Sequence, residues 1–98
     1  MKVFRMPVEF EWDKANKGKN WVKHRVSDAE CEEVFFDHLK QLANDIFHSG
    51  QEARHILIGK TKIGRVLFVV FTMRKHKVRI ISARDLNHKE KHLYEEAT

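Results

Sequence analysis

The sequence predicts a single α+β domain, a two-layer sandwich in which an antiparallel sheet of about four strands is covered by helices from the start of the chain and followed by a C-terminal helix. Three observations carry this. Residues 64–84 read as two β-branched and aromatic runs, Val66 to Arg74 and Val78 to Arg84, joined by Lys75-His76-Lys77, the pattern of a hairpin. Ahead of it, Ser27 and Glu30 stand at the Ser-x-x-Glu spacing of a capping box, which opens a helix. Third, 98 residues with 42% hydrophobic content suffice for one core, so residues 1–98 form one domain.

In chain order, Val8 to Trp12 alternates apolar and acidic residues and predicts a short edge strand with Val8, Phe10 and Trp12 on one face. Asp13 is a plausible N-cap for a helix running to His24, anchored by Ala15, Trp21 and Val22 and weakened by Gly18 and Asn20. The helix opened by Ser27 has Ala29, Cys31, Val34 and Phe35 as its core-facing stripe and stops near Asp37. Gln41 to Phe47 predicts a weak strand interrupted by Asn44 and Asp45, and the segment from His48 to Glu52 a loop. Arg54 to Lys60 is a strand with Ile56 and Ile58 on one face and His55 and Leu57 on the other, closed by Gly59. The short link to Gly64 makes the next strand its antiparallel neighbour. Unbroken apolar sequence from Val66 to Phe71 predicts burial on both faces of that strand. Asn87 caps a terminal helix.

The net charge of +5, with seven histidines able to add to it in acid, favours a polyanionic partner: nucleic acid, an anionic membrane or an acidic protein. The lone Cys31 excludes an internal disulfide and fits a reducing cytoplasm; it reads as a small buried hydrophobe. No apolar run approaches the roughly 18 residues of a membrane span, and the charged N-terminus is unlike a signal peptide. A soluble, cytoplasmic protein is expected.

Several strings together resemble the BrnT toxin family: Phe10-Glu11-Trp12-Asp13 opening a lysine-rich segment, Lys23-His24 before Val26-Ser27, Glu52 with Arg54, Ile58-Gly59, Val78-Arg79-Ile80-Ile81-Ser82-Ala83-Arg84, and Tyr94-Glu95. The resemblance runs from about Phe10 to Glu96. It implies a RelE-like fold and a toxin of a type II toxin-antitoxin system. It also implies an endoribonuclease that cleaves RNA without metal or other cofactor and inhibits translation and growth. The implied partner is a BrnA-type ribbon-helix-helix antitoxin that silences the toxin and, in the complex, binds operator DNA. The chain departs from the pattern at three places. Arg25 stands where the family usually has Gly, His38 where it often has Pro, and Asp85 where a further Arg commonly follows.

Metal-free RNA cleavage needs a ribose 2′-hydroxyl deprotonated, phosphate charge stabilised and a 5′-oxygen protonated. Arginine suits the second task, its planar fork meeting two phosphate oxygens. Arg54, Arg65, Arg74, Arg79 and Arg84 stand at strand ends or on the sheet, where each is equally readable as a surface residue paired with acids. Strict alternation puts Arg79 and Arg84 on opposite faces unless a bulge intervenes; the two are favoured equally as the residue that faces substrate, with Arg54 and Arg65 next and Arg74 as a substrate contact. His24, which matches the family motif, is the first candidate for proton transfer, or a helix-end residue stabilised by the dipole; His48 comes second and is placed at the substrate. Lys14, Lys17 and Lys23 form a phosphate-facing strip or a solvated face. Tyr94 stacks on a base or packs on the sheet. His88 and His92 stand four apart, but lysines between them favour a solvated face over a metal site. The rival reading of the whole chain is a catalytically inactive module that binds nucleic acid or an antitoxin.

Overall fold

A computed structural model describes residues 8–45, 50 and 52–95. The expectation for His48 falls outside them. Five strands form one mixed sheet: β1 Glu9–Phe10, β2 Gln41–Asn44, β3 His55–Lys60, β4 Val66–Arg74 and β5 Lys77–Asp85. The order across the sheet is β1-β5-β4-β3-β2. β2 to β5 pair antiparallel as expected, whereas β1 lies parallel to β5, with Glu9 opposite Lys77 and Phe10 opposite Val78. The helices are α1 Lys19–His24, α2 Asp28–Glu33 and α3 Lys91–Glu95, with 3-10 turns at Val34–Phe36 and His88–Glu90.

Two of the three predicted caps, Ser27 and Asn87, are present. Ser27 Oγ accepts from Glu30 N at 3.0 Å while Glu30 Oε1 accepts from Ser27 N at 3.0 Å. Asn87 and Glu90 repeat the same reciprocal arrangement before α3. The core joins Val26, Cys31, Val34 and Phe35 to the inward side chains of β3, β4 and β5. Phe35 stands edge-on to Phe10 and Phe71, with ring centroids 5.2 and 5.0 Å away. Cys31 is buried as expected, and burial, reinforced by Asp28, Glu30 and Glu32, pushes its thiol up to about 12.

Four local expectations are corrected. Asp13 does not cap a helix to His24; it opens a turn over 14–18, and α1 starts only after Gly18, whose φ of 69° suits a residue without a Cβ. Trp21, Val22 and Ala15 are exposed, and the inward residues of this segment are Asn16 and Asn20. Asn16 Nδ2 donates to Ile80 O at 3.2 Å, and Asn20 Oδ1 accepts from Ala83 N at 2.9 Å. Two asparagines four apart thereby take up β5 backbone groups beyond the end of the two-residue β1, the work another strand would do.

Ala29 is exposed, and the core stripe of α2 begins at Cys31. Gly59 does not close β3 but sits inside it, because the 3-10 turn packs onto that spot; a Cβ there would meet Val34 O at 2.7 Å. Finally, over Val66 to Phe71 β4 is buried on one face only. Leu67, Val69 and Phe71 are buried, whereas Val66, Phe68 and Val70 on the other face are half-exposed.

Candidate nucleic-acid interface and active site

The site begins with a break in register. β4 pairs with β5 from Arg74↔Lys77 to Phe71↔Ile80 and resumes at Val70↔Ser82, so Ile81 is an extra residue on β5. This β-bulge shifts the alternation by one. Arg79, Ser82 and Arg84 then share the outer face, while Val78, Ile80 and Ala83 are buried on the other. The conflict between Arg79 and Arg84 that strict alternation creates is removed.

On the outer face, Arg54 and Arg84 rim a shallow concavity of about 430 Å³. Its floor is Ile56, Phe68, Val70 and Ile81, all half-buried, with Ser82 at the side and Asp45 at the rim. The Arg84 guanidinium lies over Phe68, 4.3 Å from the ring centroid, a cation–π contact. It donates to both oxygens of Glu90 at 2.7 and 2.8 Å and to Asp85 O at 3.1 Å. An arginine fork has five N–H donors, and here Nε and one hydrogen on Nη2 have no acceptor among the described residues. The bond to Arg84 holds the Glu90 carboxyl below its ordinary range.

The other arginines are placed differently. Arg79 binds Asp13 through two bonds of 2.8 and 3.0 Å and Glu11 at 3.0 Å. Its side chain is 11% exposed against 35% for Arg84, so Arg84 is the more accessible. Arg74 is held by Glu52 at 2.7 and 3.2 Å. Arg65 lies away from the concavity. It donates to both oxygens of Asp85, to both of Glu30 and to the carbonyls of His24 and Arg25, at 2.6 to 3.3 Å. All five donors are spent on tying α1 and α2 to β5, the role of a structural clamp.

His24 is exposed at the end of α1 and does not line the concavity. Arg65 Nη2 donates both to His24 O at 3.1 Å and to Asp85 Oδ2 at 3.0 Å, which brings the His24 backbone near Asp85, and the bond from Arg65 holds the Asp85 carboxyl below its ordinary range. Arg25 makes the turn without glycine, at φ 57° and ψ 35°. Lys14, Lys17 and Lys23 are exposed, and none lines the concavity. Tyr94 packs against the body of the protein, its hydroxyl donating to Asp37 Oδ2 at 2.6 Å. Burial, then the Asp37 carboxylate, pushes its phenol up to about 12. His92 Nδ1 lies 3.0 Å from Lys89 O, and no cluster of three His, Cys, Asp or Glu with metal-binding geometry occurs among the described residues.

Sequence reasoning missed the apolar floor and the acids that engage the arginines. The floor had a signal: Val78 and Ile80 keep one phase and Ala83 the other, so the double Ile80-Ile81 marks the slip. The acid pairings join residues far apart in the chain and left no such mark.

Fold and site together define a small α+β protein that presents arginines around an apolar patch on an open sheet face. The sequence profile of the family described as "Ribonuclease toxin, BrnT, of type II toxin-antitoxin system" matches residues 12–90. The chain belongs to this family of ribonuclease toxins, and membership implies an antitoxin partner. None of the curated proteins compared with the chain matches it. Among the described residues, no helix is long and apolar enough to cross a membrane.

Proposed function

We infer that the protein is the toxin of a type II toxin-antitoxin pair and a metal-independent endoribonuclease. On this reading residues 1–98 act as one RelE-like two-layer domain in the cytoplasm. Cleavage of RNA inhibits translation and growth, and a BrnA-type ribbon-helix-helix antitoxin neutralises it. Operator DNA is met only through that complex. The observation that carries the reading is the Ile81 bulge, which sets Arg84 and Arg79 on the same face as Arg54. Arg84 meets the scissile phosphate with the Nε and Nη2 hydrogens that Glu90 leaves unspent, while Arg54 holds the phosphate from the opposite rim. Arg79 braces the strand through Asp13 and Glu11. Proton transfer falls to His24, reached by RNA that continues from the concavity past Arg84 toward Asp85, which Arg65 ties to the His24 backbone. Arg65 positions His24 by holding its carbonyl and Asp85 together.

The test is digestion of RNA in excess EDTA by the wild type and by Arg84→Ala and His24→Ala. Wild-type cleavage should persist in EDTA, and Arg84→Ala should lower the rate about 10²–10³-fold, the usual effect of deleting a charge-stabilising donor. An unchanged rate in Arg84→Ala refutes its role and exposes a contaminating nuclease.

One observation favours a second reading, an inactive binding module. Arg65, Arg74, Arg79 and Arg84 all carry carboxylate partners, which reduces the free positive field of the sheet. That reading predicts salt-sensitive RNA binding without scission. Multiple-turnover cleavage by a clean preparation excludes it.

A further inference from the structure

Half-exposed Ile56, Phe68, Val70 and Ile81 lie side by side in the middle of an antiparallel sheet, on a face that a charged surface would ordinarily fill with polar side chains. Arginines stand on opposite rims, Arg54 on one and Arg84 on the other, in a chain of net charge +5. Apolar floor and cationic rim together match one occupant better than any other: a nucleotide whose base is out of its stack. The base covers the aliphatic floor while the flanking phosphates lie on the arginines.

We propose that the concavity is a base-binding subsite that selects single-stranded RNA. The inference rests on the ribonuclease reading for the identity of the polymer and adds which form of it is taken. The Arg84 guanidinium over Phe68 forms one wall, held there by its two bonds to Glu90. Asp45 at the rim is an acceptor and suits an amino group on a base edge better than it suits a phosphate. A duplex cannot use the site. Its bases are paired and stacked, so it meets the arginines with its backbone and leaves the floor wet.

The experiment uses the full chain and a short fluorescent 2′-O-methyl RNA, which cannot be cleaved through its 2′-oxygen, so that binding is read apart from catalysis. Anisotropy titrations compare the single strand, the same strand annealed to its complement, and a series carrying one abasic position at a time. The single strand should bind about tenfold or more tighter than the duplex, and one abasic position should weaken binding about tenfold, the effect of losing one stacked base. The double variant Ile56→Thr and Val70→Thr keeps β-branched side chains in the strands and should weaken single-strand binding about tenfold with an unchanged salt slope. Arg84→Gln, by contrast, should lower that slope by about 1. Equal affinity for strand and duplex, a flat abasic series, or no binding of the single strand would each overturn the proposal. Selective binding by a protein that fails to cut unmodified RNA would instead sink the ribonuclease reading and leave the subsite standing.

Discussion

Replacing Arg25 by glycine should make the protein more stable although it removes a charged side chain from the helix end. Arg25 closes α1 at φ 57° and ψ 35°, where an L-residue's Cβ crowds the following carbonyl at a cost of about 1–2 kcal/mol. Its local hydrogen bonds are made by the backbone: the amide donates to Trp21 O at 3.0 Å and the carbonyl accepts from Arg65 Nη1 at 2.7 Å. Glycine keeps both. The guanidinium, 5.4 Å from the Trp21 ring in an exposed pair, contributes about 0.5 kcal/mol that glycine loses. Glycine's greater freedom in the unfolded chain takes back a further amount of about 0.5 kcal/mol. The balance is a gain of about 0.5 kcal/mol for Arg25→Gly. Arg25→Ala keeps the strained backbone and loses the ring contact, so it should fall about 0.5 kcal/mol below the parent. The two variants should therefore differ by about 1 kcal/mol, or about 4–8 °C in Tm for a domain of this size. Thermal and urea melts followed by far-UV circular dichroism avoid interference from the nearby Trp21. An alanine variant as stable as the glycine variant would refute the strain argument.

Three more outcomes follow from the same geometry. Asn20→Ala leaves the buried Ala83 N–H without its acceptor and also removes an Asn20 Nδ2 that has no partner among the described residues; a net loss of about 1–2 kcal/mol in urea melts is expected, and no loss would mean that β5's edge needs no such cover. The β4–β5 turn places Lys75 and His76 at φ 49° and 71°, a pair of positive values usually filled by Asn-Gly. The change Lys75→Asn with His76→Gly should add about 1 kcal/mol, and a lower Tm would count against the turn geometry. Folding lowers the pKa of Asp85 and Glu90 through their arginine partners, and of Asp37 through bonds from Tyr94, Leu39 N and Lys60 N that outweigh its burial. A carboxyl depressed in the fold stabilises it above the unfolded values of 3.8 and 4.5, and that contribution disappears as pH falls through the folded value. Tm should be level from neutrality to about pH 5 and drop below about pH 4; a Tm level down to pH 3 would contradict the pairing.

Elements whose signals are local could be read from the chain. The Ser27 and Asn87 capping boxes need only three residues' spacing, and the hairpin needs only two β-rich runs and a short link. What escaped depended on partners distant in sequence. Trp21 and Val22 look like core anchors by composition, yet the segment turns Asn16 and Asn20 inward because β5's backbone, more than 60 residues away, presents an unpaired edge there. The unbroken run from Val66 to Phe71 suggested two covered faces, but the outer one is apolar without being buried. Arg79 and Arg84 were recognised as a parity problem with a bulge as the way out; which residue bulged depended on the pairing with β4.

The arginines also show why residue type alone could not rank the candidates. Five stood on or beside the predicted sheet, and the sequence favoured Arg79 and Arg84 equally over Arg54 and Arg65 without separating the leading pair. Among the described residues, unspent N–H groups and side-chain exposure together separate three of them. Arg65 has none, which makes it a clamp whose loss would detach α1 and α2 from β5 before it affected any phosphate. Arg79 keeps two donors but is enclosed by Glu11 and Asp13, so a phosphate would have to displace carboxylates to reach it. Arg84 also keeps two and is the more exposed, with one carboxylate fixing its plane. A guanidinium already oriented by Glu90 loses less side-chain freedom when a phosphate arrives than one ordered only on binding. The same carboxylate opposes the phosphate's charge, so Glu90 trades affinity for orientation. Glu90→Gln would keep one of the two bonds to Arg84 and remove the negative charge, and is thus the change that weighs repulsion against orientation.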